Sequence, residues 1–377
     1  MAINHDFETH IRQAAAILRS WGMTPANAEQ TAKVLGWADL RGVESHGIAM
    51  LVEYNERRQT RPINMQAVPK IVRQTPVSAL VDGDGGLGHV PASFAMALAV
   101  EKAKASGVGM VSVRNSGHFG ALGCFTSMAA EADLIGIATT SVFGIRVPPT
   151  GGAAARFGTD PWSFAAPGDE GKPFLLDMAT TTVASGKVRN KVVERQQMPP
   201  GWGFDKAGKP TLDPSEVMQG GFLSPLGGTP EGASHKGYGL AVMVNILSSC
   251  LSGSTLITDP MHSKQPKGLD VGHFFMAFDP GQFRDVADFR ADVKQLCDDL
   301  RATPPVDLAK PVLVAGDPER AVMAEREKTG IPIGPGLLRR LHEIARENGA
   351  EWFFQHPSTN NTEQLRPIYL SVNPSIS

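Results

Sequence analysis

The chain of 377 residues carries 36 lysines and arginines against 38 aspartates and glutamates, and is 42% hydrophobic and 20% charged. That length exceeds the ~250–300 residues one core serves, so two or three lobes are expected. The near-neutral balance excludes a nucleic-acid or membrane-surface partner, and no apolar run reaches the ~18 residues of a spanning helix. Cys124, Cys250 and Cys297 are widely spaced and outside any CxxC pattern. They read as buried free thiols of a reducing cytoplasm, with neither a disulfide framework nor a metal site. The first ten residues hold no signal-peptide core, which also points to a cytoplasmic protein.

Residues 6–20 place Phe7, Ile11, Ala14, Ala15 and Leu18 at helical spacing, ended by Trp21-Gly22. Thr24-Pro25 opens a second helix towards Leu40, with a hydroxyl cap and a proline in the first turn, and Gly42 stops it. Ser45 is then placed to cap a third helix carrying Leu51 and Tyr54. His46 falls in that helix's first turn, where the dipole lowers an imidazole pKa and leaves the neutral form a general base needs. A structural histidine fits the same pattern. After a short strand at 79–81, Gly83, Gly85 and Gly88 follow the G-x-G-x-x-G spacing before a helix over 91–105. The strand is short, and the acid nearest the required offset, Glu101, lies inside that helix, so the glycines read as a tight turn rather than a dinucleotide fingerprint.

Residues 108–113 read as a buried strand breaking into Arg114-Asn115-Ser116-Gly117-His118-Phe119-Gly120, then a helix over 121–132 and a strand over 134–142. This is the size of a βαβ unit with parallel strands. His118 stands beyond the carboxyl end of its strand, where ligands collect in such sheets, with a ring suited to proton transfer near neutrality; capping the next helix is the alternative. Further strands are expected at 163–166 and 174–180, and the Gly- and Pro-rich stretch 199–232 reads as irregular chain wrapping a site or subunit interface. Gly232 to Tyr238 opens an apolar helix reaching Leu251. Free N–H groups, the dipole and Lys236 there suit an anion such as a pyrophosphate or carboxylate, and a solvated lysine suits the same residues. A strand at 272–279, an amphipathic helix over 289–301 with Val293, Leu296 and Leu300 inward, a strand at 311–316, a helix over 336–348 and a polar tail from Gln355 complete the chain.

Nine segments in order resemble the type-2 malate/L-lactate dehydrogenase family, the sulfolactate dehydrogenase-like oxidoreductases: DLRGVESHG from Asp39, DGDGGLGH from Asp82, VRNSGHFG from Val113, GG…RFGTDP from Gly151, LLDMAT from Leu175, PPGWGFD from Pro199, PLGG from Pro225, HKGYGLA from His235 and GHFF from Gly272. The resemblance covers roughly residues 5–350. It implies an α/β fold with a mixed sheet, a cofactor-binding domain that is not of the Rossmann type, and helical N- and C-terminal elements. The expected regions are a helical 1–75, a substrate- and cofactor-binding 76–270, an α/β 271–350 packing back on the first, and the tail 351–377.

The activity implied is hydride transfer between NAD or NADP and a 2-hydroxy or 2-oxo acid by a homodimer, with reduction of a cyclic imino acid or sugar-derived keto acid as the alternative. A non-catalytic binding protein on the same fold is a remote one. By the resemblance His46 and His118 are catalytic and Ser45 contacts substrate, while Ser141, Asp177, Met178, Ala179, Thr180, His235, Lys236, Gly316 and Asp317 hold cofactor. Two departures stand out. Many members have an arginine where this chain has Met50, and read G-T-N-P where it has Gly158-Thr159-Asp160-Pro161. Arg41, Arg146 or Lys236 are the candidates to replace that carboxylate donor.

Overall fold

The computed structural model describes residues 2–142, 144–169, 171–258 and 270–354; the expected tail from Gln355 lies outside them. β1 (Ile3–His5) precedes α1 (Phe7–Ser20), capped by Asp6, and α2 (Pro25–Leu40), capped by Thr24. A single 3₁₀ turn, Glu44–His46, leads to α3 (Met50–Thr60). The main sheet then begins with β2 (Lys70–Gln74) and β3 (Ser78–Asp82), followed by α4 (His89–Ser106), β4 (Val108–Ser116), α5 (Gly123–Ala130), β5 (Ile135–Thr140), β6 (Trp162–Asp169) and β7 (Lys172–Met178). After α6 (Ser185–Glu194), the stretch expected to be irregular forms a small sheet of β8 (Gly203–Phe204), β9 (Pro210–Thr211) and β10 (Phe222–Leu223) around α7 (Pro214–Met218). Next come α8 (His235–Asn245), continued by a π-turn over Ile246–Cys250, and β11 (Val271–Phe278). The chain closes with α9 (Val286–Arg301), α10 (Asp317–Thr329), β12 (Ile331–Ile333), paired with β1, and α11 (Pro335–Glu347).

The seven strands of the main sheet run in the order β2-β3-β4-β11-β5-β6-β7. β3 and β4 are parallel, while β11 is antiparallel to both β4 and β5. The expected βαβ unit is therefore present in direction but not in adjacency: β4 and β5 run the same way with β11 inserted between them. β11, assigned by sequence to the last region, lies at the sheet's centre. The mixed sheet and flanking helices are the fold class expected.

Small residues set the layer spacing. Ala92, Ala95, Ala99 and Ala103 of α4 are completely buried, and a Cβ on Gly109 of β4 would meet the Ala99 carbonyl oxygen at 2.0 Å. Only an alanine-rich helix face over a glycine packs this closely. A second core joins α1, α2, α3 and α11 through Ile17, Leu18, Leu35, Leu51, Tyr54 and Leu341. A third gathers Phe157, Val188, Val217, Leu223 and Ile257.

Three local expectations are corrected. Leu296 and Leu300 of α9 are 61% and 47% exposed and Cys297 is buried in their place, because the helix lies on β6 along its other side. Residues 311–316 form no strand, since only Ala315 bonds to the sheet edge, its carbonyl accepting from Leu175 N–H. All three cysteines are free, but only Cys297 is buried and Cys250 is exposed.

Candidate active site

His118 lies two residues past the end of β4, and His46 ends the 3₁₀ turn after α2. Their rings stack 5.6 Å apart at 24°. Ser45 does not cap a helix as expected; its hydroxyl lies 2.8 Å from His46 Nδ1. His46 is thus outside any α-helical first turn, and its pKa is lowered by burial, against a smaller opposing pull from Glu53, rather than by a dipole.

Asp39 holds this turn from behind. Its Oδ2 accepts from Ile48 N–H at 2.6 Å and lies 2.7 Å from His10 Nε2, both buried. Gly47 passes so close that a Cβ would fall 1.8 Å from Asp39 Oδ1.

The 83–88 glycines do for His118 what Asp39 does for His46. Gly83 N–H bonds Arg114 O, Gly85 N–H bonds Asn115 O and Gly88 N–H bonds His118 O. A Cβ on Gly88 would meet the Gly117 oxygen at 2.1 Å. The glycine spacing therefore serves a close backbone approach between two loops, and the space a pyrophosphate would need is filled by protein, as the tight-turn reading requires.

Gly120 N–H donates to His118 Nδ1 at 3.3 Å, and Tyr54 Oη lies 2.6 Å from the same nitrogen. Nδ1 is consequently an acceptor, and the neutral ring carries its proton on Nε2. Burial holds the His118 pKa well below the usual histidine value, with further lowering by His46, Arg57, His89 and His273. The ring is neutral at physiological pH.

A second cluster lies one step along α2. Val34 packs at Gly120, within 3.4 Å of the position of an added Cβ, while the Trp37 ring lies 3.1 Å from the equivalent point at Gly123. Gly123 N–H, in the first turn of α5, donates to Asp177 Oδ2 at 2.7 Å. Asp177 is exposed, yet the protein packed round it pushes its carboxyl up to about 6, opposed by the Gly123 bond. Arg41 stacks on Trp37 at 4.1 Å and belongs to this cluster rather than to the histidine pair.

A model of the malate/L-lactate dehydrogenase family matches residues 6–342. The chain belongs to this family. Malate dehydrogenase of Pyrococcus abyssi is 40% identical over 89% of this chain and 92% of its own length. L-sulfolactate dehydrogenase of Methanocaldococcus jannaschii is 36% identical over 88% and 94%. Among solved structures, malate dehydrogenase from Entamoeba histolytica superposes with a TM-score of 0.88 at 32% identity, covering 93% of this chain and 99% of that one. This malate/L-lactate dehydrogenase family member is an oxidoreductase acting on CH–OH, and its chemistry is hydride exchange between a nicotinamide cofactor and a hydroxy or oxo acid.

Of the residues expected at its site, Ser45, His46 and His118 come together, and sequence reading missed Tyr54, His89 and Arg57 beside them. The signal was available: Glu53, Tyr54 and Arg57 lie three, four and seven residues after Met50, on one face of α3. Met50 itself is 8% exposed and packed in the helical core. Arg146 is exposed, tied through its backbone to Phe157 and Leu223.

Ser141 is buried, and its hydroxyl exchanges bonds with the backbone of Gly272. Thr180 N–H donates to Thr159 O, and Thr180 O accepts from Leu226 N–H. Met178 and Ala179 lie half-buried between Asp177 and Thr180. At the start of α8, His235 and Lys236 are exposed, but Lys236 N–H is bonded to Ala233 O, Gly237 N–H to Leu226 O and Tyr238 N–H to Ser234 O. That end offers an ammonium and an imidazole rather than the free amide cradle expected from sequence. Asp317 is held by Arg301 at 2.9 and 3.0 Å and by Arg320, which keeps it ionised well below the usual carboxylate range. Gly316 places this knot against Leu175 of β7, 3.3 Å from its own added Cβ.

The side chains of this region fit the cofactor class. Asp177 has one oxygen held by Gly123 N–H and is exposed, so as a hydrogen-bond acceptor it would take the hydroxyls of a ribose. The exposed Lys236 would supply a counter-charge for a pyrophosphate.

Proposed function

We propose that this chain oxidises a 2-hydroxy acid, and reduces the corresponding 2-oxo acid, between His46 and His118, with NAD preferred over NADP. The observation that carries the reading is the stacked histidine pair at the open edge of the sheet, with opposite hydrogen-bonding roles available to its two members. When bound, the nicotinamide ring supplies or accepts the hydride.

His46 Nδ1–H donates to the Ser45 hydroxyl oxygen, which leaves Nε2 as the base that takes the substrate hydroxyl proton. His118 donates its Nε2–H to the same oxygen and stabilises the negative charge that gathers there. In the reverse direction the protonated His46 returns the proton. Met50 faces the core, so the carboxylate is assigned to the Ser45 hydroxyl and to Arg57, whose charge already acts on His118. Arg57 is held from its own helix by Glu53, which aims its planar guanidinium, the group suited to a carboxylate.

The NAD preference rests on Asp177, which receives the ribose diol and repels a 2′-phosphate. We infer a homodimer from the exposed apolar stripe of Met243, Ile246 and Leu251 along α8 and its π-turn. Three unpaired thiols suit a reducing cytoplasm.

The test compares His46→Gln, His118→Gln and Asp177→Ser with the parent enzyme, using malate, lactate and sulfolactate, and piperideine-2-carboxylate for the imine alternative. Each histidine variant should lose about 10²–10⁴-fold in kcat, while Asp177→Ser should narrow the ratio of NADH to NADPH affinity read by cofactor fluorescence. Full turnover without either histidine, or an unchanged cofactor ratio, refutes the corresponding part.

A further inference from the structure

Behind His118 the fold buries a second imidazole that no part of the hydride-transfer chemistry requires. His89, the first residue of α4, is completely buried, and its Nε2 lies 3.4 Å from Tyr54 Oη. Its Nδ1 is equally buried and has no hydrogen-bond partner among the described residues.

A buried acceptor without a donor is less costly than a buried N–H without an acceptor, because unpaired donors are the rarer and more heavily penalised case. The His89 proton therefore belongs on Nε2, where Tyr54 Oη receives it. Tyr54, itself completely buried, then has its own hydrogen free for His118 Nδ1 at 2.6 Å. Gly120 N–H points into the same nitrogen at 3.3 Å. Every donor in the series points the same way.

We infer that His89 and Tyr54 form a one-way hydrogen-bond wire, from His89 Nε2–H to Tyr54 Oη and from Tyr54 O–H to His118 Nδ1, that locks the His118 proton on Nε2 and strengthens it as a donor to the substrate oxygen. Both are positioning residues, and the inference rests on the role proposed above for His118. Hydrogen bonds in series polarise one another in a buried setting, so each upstream donor makes Nε2–H a better one as charge develops on the oxygen it faces. The groups facing His118 are consistent with a ring kept neutral: His46 from the 3₁₀ turn, Tyr54 and Arg57 from α3, His89 from α4 and His273 from β11 all carry neutral or positive side chains. Protonation of His118 would require Tyr54 to reverse and Gly120 N–H to lose its acceptor.

The decisive measurement is the nitrogen spectrum of the 15N-histidine-labelled parent enzyme, with the His118 signals assigned by their loss in His118→Gln. The wire requires a proton on Nε2 and a hydrogen-bonded, unprotonated Nδ1 across pH 6–9 (roughly the range over which His is otherwise half-titrated or neutral). In Tyr54→Phe, Nδ1 should move towards the position of a weakly bonded acceptor, with kcat lowered about tenfold and KM within about twofold. His89→Gln, which keeps an N–H donor, should retain more activity than His89→Leu. A proton found on His118 Nδ1 in the parent enzyme overturns the wire even if both histidine pair variants are inactive. Full activity of His118→Gln instead overturns the hydride-transfer assignment, whatever the spectrum shows.

Discussion

Asp160 gives the sharpest quantitative test of how this site is framed. It stands where family members usually have asparagine, is 0% exposed, and accepts from Gly158 N–H at 3.0 Å. Among the described residues its Oδ1 has no partner, and neither has Oδ1 of its neighbour Asn245. Burial pushes the carboxyl from 3.8 up to about 7, opposed by Asn245 and Gly158. A raised native pKa means that between 3.8 and about 7 the folded chain holds a proton the unfolded chain has released. Stability is therefore lost as pH rises through that window, at ~1.4 kcal/mol per pH unit, and is flat above it. The accumulated loss above neutrality is on the order of 4 kcal/mol. Asp160→Asn removes the titration, keeps the shape, suits the positive φ of 33° and supplies an amide donor. The variant should unfold at higher urea concentration with unchanged m, and its gain at pH 8 should exceed its gain at pH 5.5 by about 2 kcal/mol. A gain independent of pH, or a loss at pH 8, would refute the argument.

Two further outcomes follow from the same structure. Gly88→Ala places a methyl 2.1 Å from the Gly117 oxygen, so the loop bearing His118 has to shift; kcat should fall up to about 10²-fold, with NADH binding by fluorescence retained. His89 and His273 are both buried, with pKa values lowered by burial to about 3. Their contribution is fully present above 6.5 and is lost as pH falls towards 3, amounting to about 4 kcal/mol for the two at pH 5. His89→Gln should make the acid limb of a urea stability profile shallower by about 1.4 kcal/mol per pH unit below 6.5; an unchanged slope would show that His89 is not buried neutral.

Much of this was legible in the sequence because local chemistry decides it. Thr24 caps the second helix from its own side chain, as its hydroxyl before Pro25 indicates, and the apolar runs of β4 and β11 are strands largely buried in the middle of the sheet. The meaning of Gly83, Gly85 and Gly88 could be narrowed to a turn, but their partner strand segment lies outside the local window. The strand β11 was legible, but its insertion between β4 and β5 was not, for the same reason: a strand's neighbours are set by long-range pairing, which no period in the chain encodes. Leu296 and Leu300 misled because an amphipathic stripe on α9 gives a face, not its partner. His46 was placed in an α-helical turn because Ser45 is a good cap, yet Asp39 takes Ile48 N–H from outside and delays the helix to Met50. The pairing of Tyr54 with His118 required the tertiary fold as well.

The two halves of the site are joined by α2 rather than by either loop that carries the histidines. Val34 backs Gly120, Trp37 backs Gly123, and Arg41 covers Trp37, at successive turns of one helix face. The same helix supplies Asp39, which fixes His46. Under the proposed roles, a displacement of α2 would therefore disturb the histidine pair and Asp177 together. The buried Asp39–His10 pair ties that helix to α1: hydride transfer demands that the reacting carbon and the accepting ring keep one separation, and under the roles proposed for the histidines and Asp177 one helix backs both.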